Sequence, residues 1–142
     1  MASSNATWKI LLGHHPIYSN GQEGGYEEVA EALIPLMDKH GVPAYFNGHD
    51  HSQQHIMKDG RHYVTQGAGS LTHTGFQNRD PASFESDSPG FSALVFENGE
   101  LTVLYFDDQG VGLYNFTVPR PESFQNAGTA PNPKRLWLRT TT

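Results

Sequence analysis

The chain has 142 residues, 36% of them hydrophobic and 17% charged, which is the composition of one globular domain rather than of a disordered segment. A formal net charge of −6 with only nine scattered basic residues argues against nucleic-acid binding and against a basic membrane-docking face. There is no cysteine, so disulfides and thiolate chemistry are excluded, and no stretch reads as a signal peptide or a membrane-spanning helix.

In chain order, residues 1–7 are a short extension. Residues 8–12, Trp-Lys-Ile-Leu-Leu, read as a buried strand that ends in Gly13-His14-His15-Pro16. A glycine-rich loop from Ser19 to Gly25 follows. A helix is expected from Tyr26 to His40, with Val29, Leu33, Leu36 and Met37 on one face. Glu27 and Glu28 in its first turn, and Lys39 and His40 in its last, suit the helix dipole, and Gly41 suits the C-terminal cap. Pro35 should kink or split this helix. Residues 42–47 form a second strand that ends in Gly48-His49-Asp50-His51, so strand–helix–strand predicts a parallel βαβ unit.

The character then changes. His55-Ile56-Met57 and His62 to Thr65 flank Lys58-Asp59-Gly60-Arg61, a hairpin pattern. Gly67-Ala68-Gly69 opens a long loop to about Gly90. Phe91 to Glu97 and Leu101 to Asp107 flank Asn98-Gly99-Glu100, and Asp108-Gln109-Gly110 turns into a last strand, Gly112 to Val118. This half reads as an antiparallel meander. The domain spans residues 8–120, and residues 121–142 are a Pro-, Asn- and Thr-rich tail with isolated Phe124, Leu136 and Trp137. The fold class is therefore α/β (α+β), one βαβ unit followed by a meander.

The two histidine blocks carry the chemistry. Each follows an apolar strand, and ligands collect at strand ends in open α/β sheets. Neutral imidazole is a common metal ligand, so histidines from adjacent strand ends can meet at one metal cluster. His14 and His15 can also be read as plain loop residues. Gly48 permits a tight turn, His49 and His51 can reach two neighbouring ions, and Asp50 between them could orient an imidazole.

These blocks carry a resemblance. Leu11-Leu12-Gly13-His14, with Pro16 two residues on, and Gly48-His49-Asp50-His51 match the last two metal-ligand blocks of the calcineurin-like metallophosphoesterases. Ala44-Tyr45 before Gly48, and Tyr63-Val64 before Gly67-Ala68-Gly69, extend the likeness. Over residues 8–120 the chain resembles the C-terminal half of a purple acid phosphatase of the tartrate-resistant type. The resemblance implies a four-layer α/β/β/α sandwich, of which this chain would supply about one sheet and its flanking helices. It implies a binuclear centre of iron with iron, zinc or manganese. His14 and His49 would bind the exchangeable ion, and His51 the iron. A hydroxide held by the metals would attack phosphorus in line and hydrolyse phosphate monoesters.

One further role follows from the likeness, and the loop residues themselves suggest others. Glu23, or nearby Gln22, stands where the family has a candidate proton-donor histidine. His15 could approach the substrate phosphate, Ser19 and Asn20 could donate hydrogen bonds to it, and Tyr18 and Phe76 could border the cleft. The family's D-x-G, G-D-x-x-Y and G-N-H-[DE] blocks are absent. Asp108-Gln109-Gly110 matches the first only literally and reads as a turn. The missing ligands are expected from an N-terminal half or another subunit, which would also cover apolar surface left on this chain. The alternatives are a non-catalytic metal-binding or scaffold protein that uses His14, His49 and His51, and a related phosphodiesterase or nucleotidase. The family resemblance suggests a secreted, lysosomal or vacuolar location. His40 reads as a helix-end cation, and His55, His62 and His73 as surface residues. Two sequons occur, Asn5-Ala6-Thr7 and Asn115-Phe116-Thr117, the second within an expected strand.

Overall fold

The computed structural model describes residue 4 and residues 6–120. The tail at 121–142 and the sequon at Asn5 lie outside the described residues. The elements are β1 (Leu11–Leu12), α1 (Glu27–His40), β2 (Ala44–Asn47), β3 (Gln53–Lys58), β4 (Arg61–Gln66), β5 (Ala82–Ser86), β6 (Gly90–Glu97), β7 (Glu100–Asp107) and β8 (Gly112–Pro119).

They form two sheets. The first has strand order β1-β2-β4-β3-β5, and the second β6-β7-β8. The βαβ unit is present, with Leu11 opposite Tyr45 and Leu12 opposite Phe46 in parallel register. The expected antiparallel pairings are also present, but they divide. The β3–β4 hairpin enters the first sheet, where β4 pairs parallel with β2, and only β6–β8 form a separate meander.

Two of the hairpin turns put Asx-Gly in the left-handed region, Asp59-Gly60 at φ 50° and 73° and Asn98-Gly99 at 51° and 80°, which matches the twist of the flanking strands. β5 falls in the segment read as loop. Ser83, Phe84 and Glu85 lack an apolar alternation, and β5 is held by antiparallel pairing to β3, a tertiary partner that local sequence does not show. β1 is shorter than the strand expected at 8–12. It lies at the sheet edge and pairs with β2 over two residues only, and Leu12 is 72% exposed.

Alternation along β2 divides the core. Ala44 and Phe46 join Val64, Leu101, Val103, Tyr105 and Val118 between the two sheets, with Trp8 and Ile10 packed alongside. Tyr45 joins Met37, Val42, Ile56 and Tyr63 beneath α1. The described residues thus form three layers, α/β/β. The chain contributes to both sheets of the expected sandwich rather than to one.

The helix is one element through Pro35. Leu33, Ile34 and Met37 pack on the sheet on either side of Pro35, while Pro35 itself is exposed, so packing holds the axis despite the missing N–H. The buried face uses Ile34 in place of Leu36, which is 41% exposed. Gly41 closes the helix at φ 62°. Its N–H donates to the Asp38 carbonyl, and the Val42 N–H donates to the Met37 carbonyl at 2.9 Å. Val42 and Met37 then touch in the core, completing a Schellman cap.

His55 and His62 lie at the seam between the sheets, not on the surface. Their rings stack at 5.2 Å, and Phe116 of β8 stacks on both. His55 Nε2 pairs with His62 Nδ1 at 2.9 Å, and His55 Nδ1 pairs with the Tyr114 hydroxyl at 3.1 Å. Burial pushes His55 down to about 3, helped by the neighbouring His62, and pushes His62 down to about 4. In the unfolded chain both return towards 6.5, so between these values the unfolded state binds more protons. Stability is therefore complete above about pH 6.5 and falls as pH drops towards 3, each unit of depression corresponding to about 1.4 kcal/mol. Urea unfolding between pH 7 and 3.5 should show this decline, and the slope should be shallower in His62→Phe.

Candidate metal centre

The site is built where β1 and β2 end. The ladder continues past both strands: the Gly13 N–H donates to the Phe46 carbonyl at 3.0 Å, and the Gly48 N–H donates to the His14 carbonyl at 3.1 Å. The two histidine blocks are thereby zipped side by side. Gly13 must lack a side chain, because a Cβ there would collide with the Tyr45 hydroxyl, which donates to the His15 carbonyl at 2.7 Å.

Ligand atoms of His14, His15 and His49 all lie within 4.8 Å of one another. His49 Nδ1 is 3.1 Å from His14 Nε2, and the His15 ring lies 4.6 Å from that of His49. His49 adopts φ 62°, a conformation uncommon outside glycine and a mark of a backbone held in place by its surroundings. Three imidazoles with no carboxylate in the group suit a first-row transition-metal ion and leave room for a further ligand.

Sequence reasoning passed over Tyr26. It stands at the N-terminus of α1 with no side-chain cap, and its N–H donates to the Pro16 carbonyl at 3.0 Å. Its hydroxyl lies 2.7 Å from His49 Nε2, and its ring lies 4.6 Å from that of His15. An aromatic hydroxyl at an N-cap position normally taken by Ser, Thr or Asp was the available signal. The Tyr26 hydroxyl is pushed up, first by desolvation and then by the Glu23, Asp50 and Glu28 charges.

His51 does not join this trio. It stacks on His73 at 4.6 Å, and the His73 N–H donates to the His51 carbonyl at 2.9 Å. Asp50 does not orient an imidazole. Its fully buried carboxylate accepts from the Ser19 hydroxyl and from the Glu23 N–H at 3.0 Å, so its lone pairs hold the glycine-rich loop. Close packing enforces this: a Cβ on Gly21 would sit 2.5 Å from Asp50 Cγ.

Ser19 and Asn20 are likewise not free to meet phosphate. Both are buried. Ser19 Oγ also accepts from Gln54 Nε2 at 2.8 Å. Asn20 donates to the Asp80 carbonyl and to Glu85, and its Oδ1 accepts from the Asp80 N–H at 2.8 Å. Glu23 is exposed beside this network, tethered by its backbone, with Gln22 donating to the Thr74 carbonyl at 3.4 Å. Tyr18 packs edge-on against Tyr63 at 4.8 Å, in the core rather than in a cleft. Asp108-Gln109-Gly110 is the β7–β8 turn.

Comparison with known proteins shows what the chain is similar to. Residues 2–53 match the calcineurin-like phosphoesterase family. The chain is 33% identical over 125 residues to purple acid phosphatase 4 of Arabidopsis thaliana, covering 84% of this chain and 37% of that protein. It is a homologue of the purple acid phosphatases. Tartrate-resistant acid phosphatase type 5 of Oryctolagus cuniculus is 30% identical, with 84% of this chain and 40% of that protein covered. The chain thus spans about two fifths of the length of these relatives. Among solved structures, one titled GAP50, the anchor in the inner membrane complex of Plasmodium, superposes with a TM-score of 0.77 at 26% identity, over 84% of this chain and 38% of that one.

The buried Asp50 network yields a stability prediction. Asp50→Ala leaves the Ser19 hydroxyl and the Glu23 N–H without their acceptor, and should cost about 1–3 kcal/mol in urea unfolding. Glu23→Ala, which keeps the backbone N–H, should cost less than about 0.5 kcal/mol.

Proposed function

We propose that this chain supplies the histidine half of a metal-dependent phosphomonoesterase of the acid phosphatase type. The convergence of three imidazoles at parallel strand ends carries the reading, and the homology to purple acid phosphatases supports it. An ion held there by His14, His15 and His49 would supply Lewis acidity and lower the pKa of a bound water. The remaining ligands, carboxylates above all, come from the portion of the relatives that this chain does not span, either as the same protein or as a second subunit. The centre is binuclear, with iron and a second iron, zinc or manganese.

The chain's own residues divide the work. His14, His15 and His49 hold the ion, and Tyr26 fixes the ring plane of His49 by bonding its Nε2. Asp50 holds the 19–25 loop through the Ser19 hydroxyl and the Glu23 N–H, and the exposed Glu23 carboxyl would give a proton to a leaving alkoxide. An acidic location, secreted, lysosomal or vacuolar, suits the seam histidines. With values of about 3 and 4, that pair stays neutral near pH 5.

The GAP50 likeness favours one other reading, a non-catalytic anchor or scaffold built on the same fold. The two separate in a complementation assay. This chain is co-expressed with the N-terminal segment of a purple acid phosphatase, and hydrolysis of an aryl phosphate is followed with iron, zinc or manganese. Chelator-sensitive turnover that drops about 100-fold or more in His14→Ala is expected, the scale of several kcal/mol of transition-state stabilisation. A stable complex without turnover under any metal would move the assignment to the anchor reading.

A further inference from the structure

Two histidine pairs differ in how their ring nitrogens are satisfied. In the seam pair, both His55 nitrogens have partners: Nδ1 meets Tyr114 and Nε2 meets His62. In the second pair, His51 and His73 stack at 4.6 Å with an interplanar angle of 25°, and the Nδ1 atoms of both are buried without a hydrogen-bond partner among the described residues. Burying one ring nitrogen unpaired is unfavourable, and burying two side by side compounds it. A cation would relieve both, because a ring nitrogen without a hydrogen-bond partner is a metal ligand in waiting.

The placement of His73 is fixed rather than incidental. The loop from Gly67 to Pro81 is clasped to the glycine-rich loop at several points. The Gln77 N–H donates to the Asn20 carbonyl at 2.8 Å, the Arg79 guanidinium donates to the Gly21 carbonyl at 2.5 Å, and the Asp80 N–H donates to Asn20 Oδ1 at 2.8 Å. Between these points and β4, the His73 N–H closes on the His51 carbonyl at 2.9 Å. The ring is thus held against His51 before any ligand arrives.

We propose that His73 is a metal ligand, and that with His51 it forms a second, two-nitrogen position for a first-row transition-metal ion, separate from the His14–His15–His49 trio. This rests on the metal-site reading above and adds to it a ligand from the 67–81 loop. Cobalt(II) is the probe, because its visible absorption reports nitrogen ligation directly and needs no turnover.

The isolated chain should take up two cobalt equivalents in titrations followed by visible absorption and calorimetry. His73→Phe keeps the stacked ring and removes the nitrogens. It should weaken one equivalent at least tenfold and leave the other unchanged, while His14→Ala should do the converse. Two equivalents of unaltered affinity in His73→Phe, or a single equivalent in the unsubstituted chain, overturns the role of His73 and leaves the trio standing. No uptake at all by the unsubstituted chain overturns the trio as well. Should His73→Phe fail to fold, imidazole ¹⁵N resonances of the unsubstituted chain decide: zinc must shift His73 Nδ1, and an unmoved resonance overturns the proposal.

Discussion

Everything at the site depends on the parallel pairing of β1 with β2. Two residues of ladder, Leu11 to Tyr45 and Leu12 to Phe46, set the register, and two more backbone bonds carry it into the loops beyond. A shift of one residue would turn Tyr45 and Phe46 to opposite faces and separate His14 from His49. The pairing is short because its strength comes from elsewhere. Tyr45 is locked under α1, Phe46 is locked between the sheets, and β4 pairs along the other edge of β2. A weak edge strand is thus positioned by a strongly held neighbour.

A second layer of order lies behind the imidazole trio. Asp50, Ser19, Gln54 and Asn20 form a buried polar network that joins the 19–25 loop, the start of β3 and the loop before β5. Its members have found partners, so it specifies one arrangement of loops where an apolar core would permit several. Polar residues beside a candidate metal centre invite assignment to a substrate. Here they are spent on holding the walls.

Much of the fold was legible because local rules and tertiary structure agree. Gly41 was read as a cap and is one, and Asn98-Gly99 and Asp59-Gly60 were read as turns and take left-handed geometry. The βαβ unit followed from two apolar runs around an amphipathic helix. What escaped reading depends on partners distant in sequence. β5 exists through its pairing to β3. Leu36 gives way to Ile34 because the sheet surface, not the helical wheel, decides which side is buried. His55, His62 and His73 lie in polar-looking segments, and nothing local says that Phe116 will cover the first two or that the clasped loop will set the third on His51. At the site, the pairing of His14 with His49 was readable from strand ends, whereas the engagement of Asp50 by Ser19 and of His49 by Tyr26 required the folded loops.

The meander and the crossover differ in how they are reached along the chain. β6 to β8 join through tight turns and make local contacts, whereas β1 meets β2 only after some thirty intervening residues have been ordered. Contacts of that separation close late, since loop entropy must be overcome before they contribute. The imidazole cluster therefore exists only in the completed domain, and an ion that binds it binds the native state and not the open chain. By mass action such an ion draws the folding equilibrium forward, by about 2.7 kcal/mol at a hundredfold excess over its dissociation constant. An ion bound there would tie the stability of the folded domain to the supply of free metal.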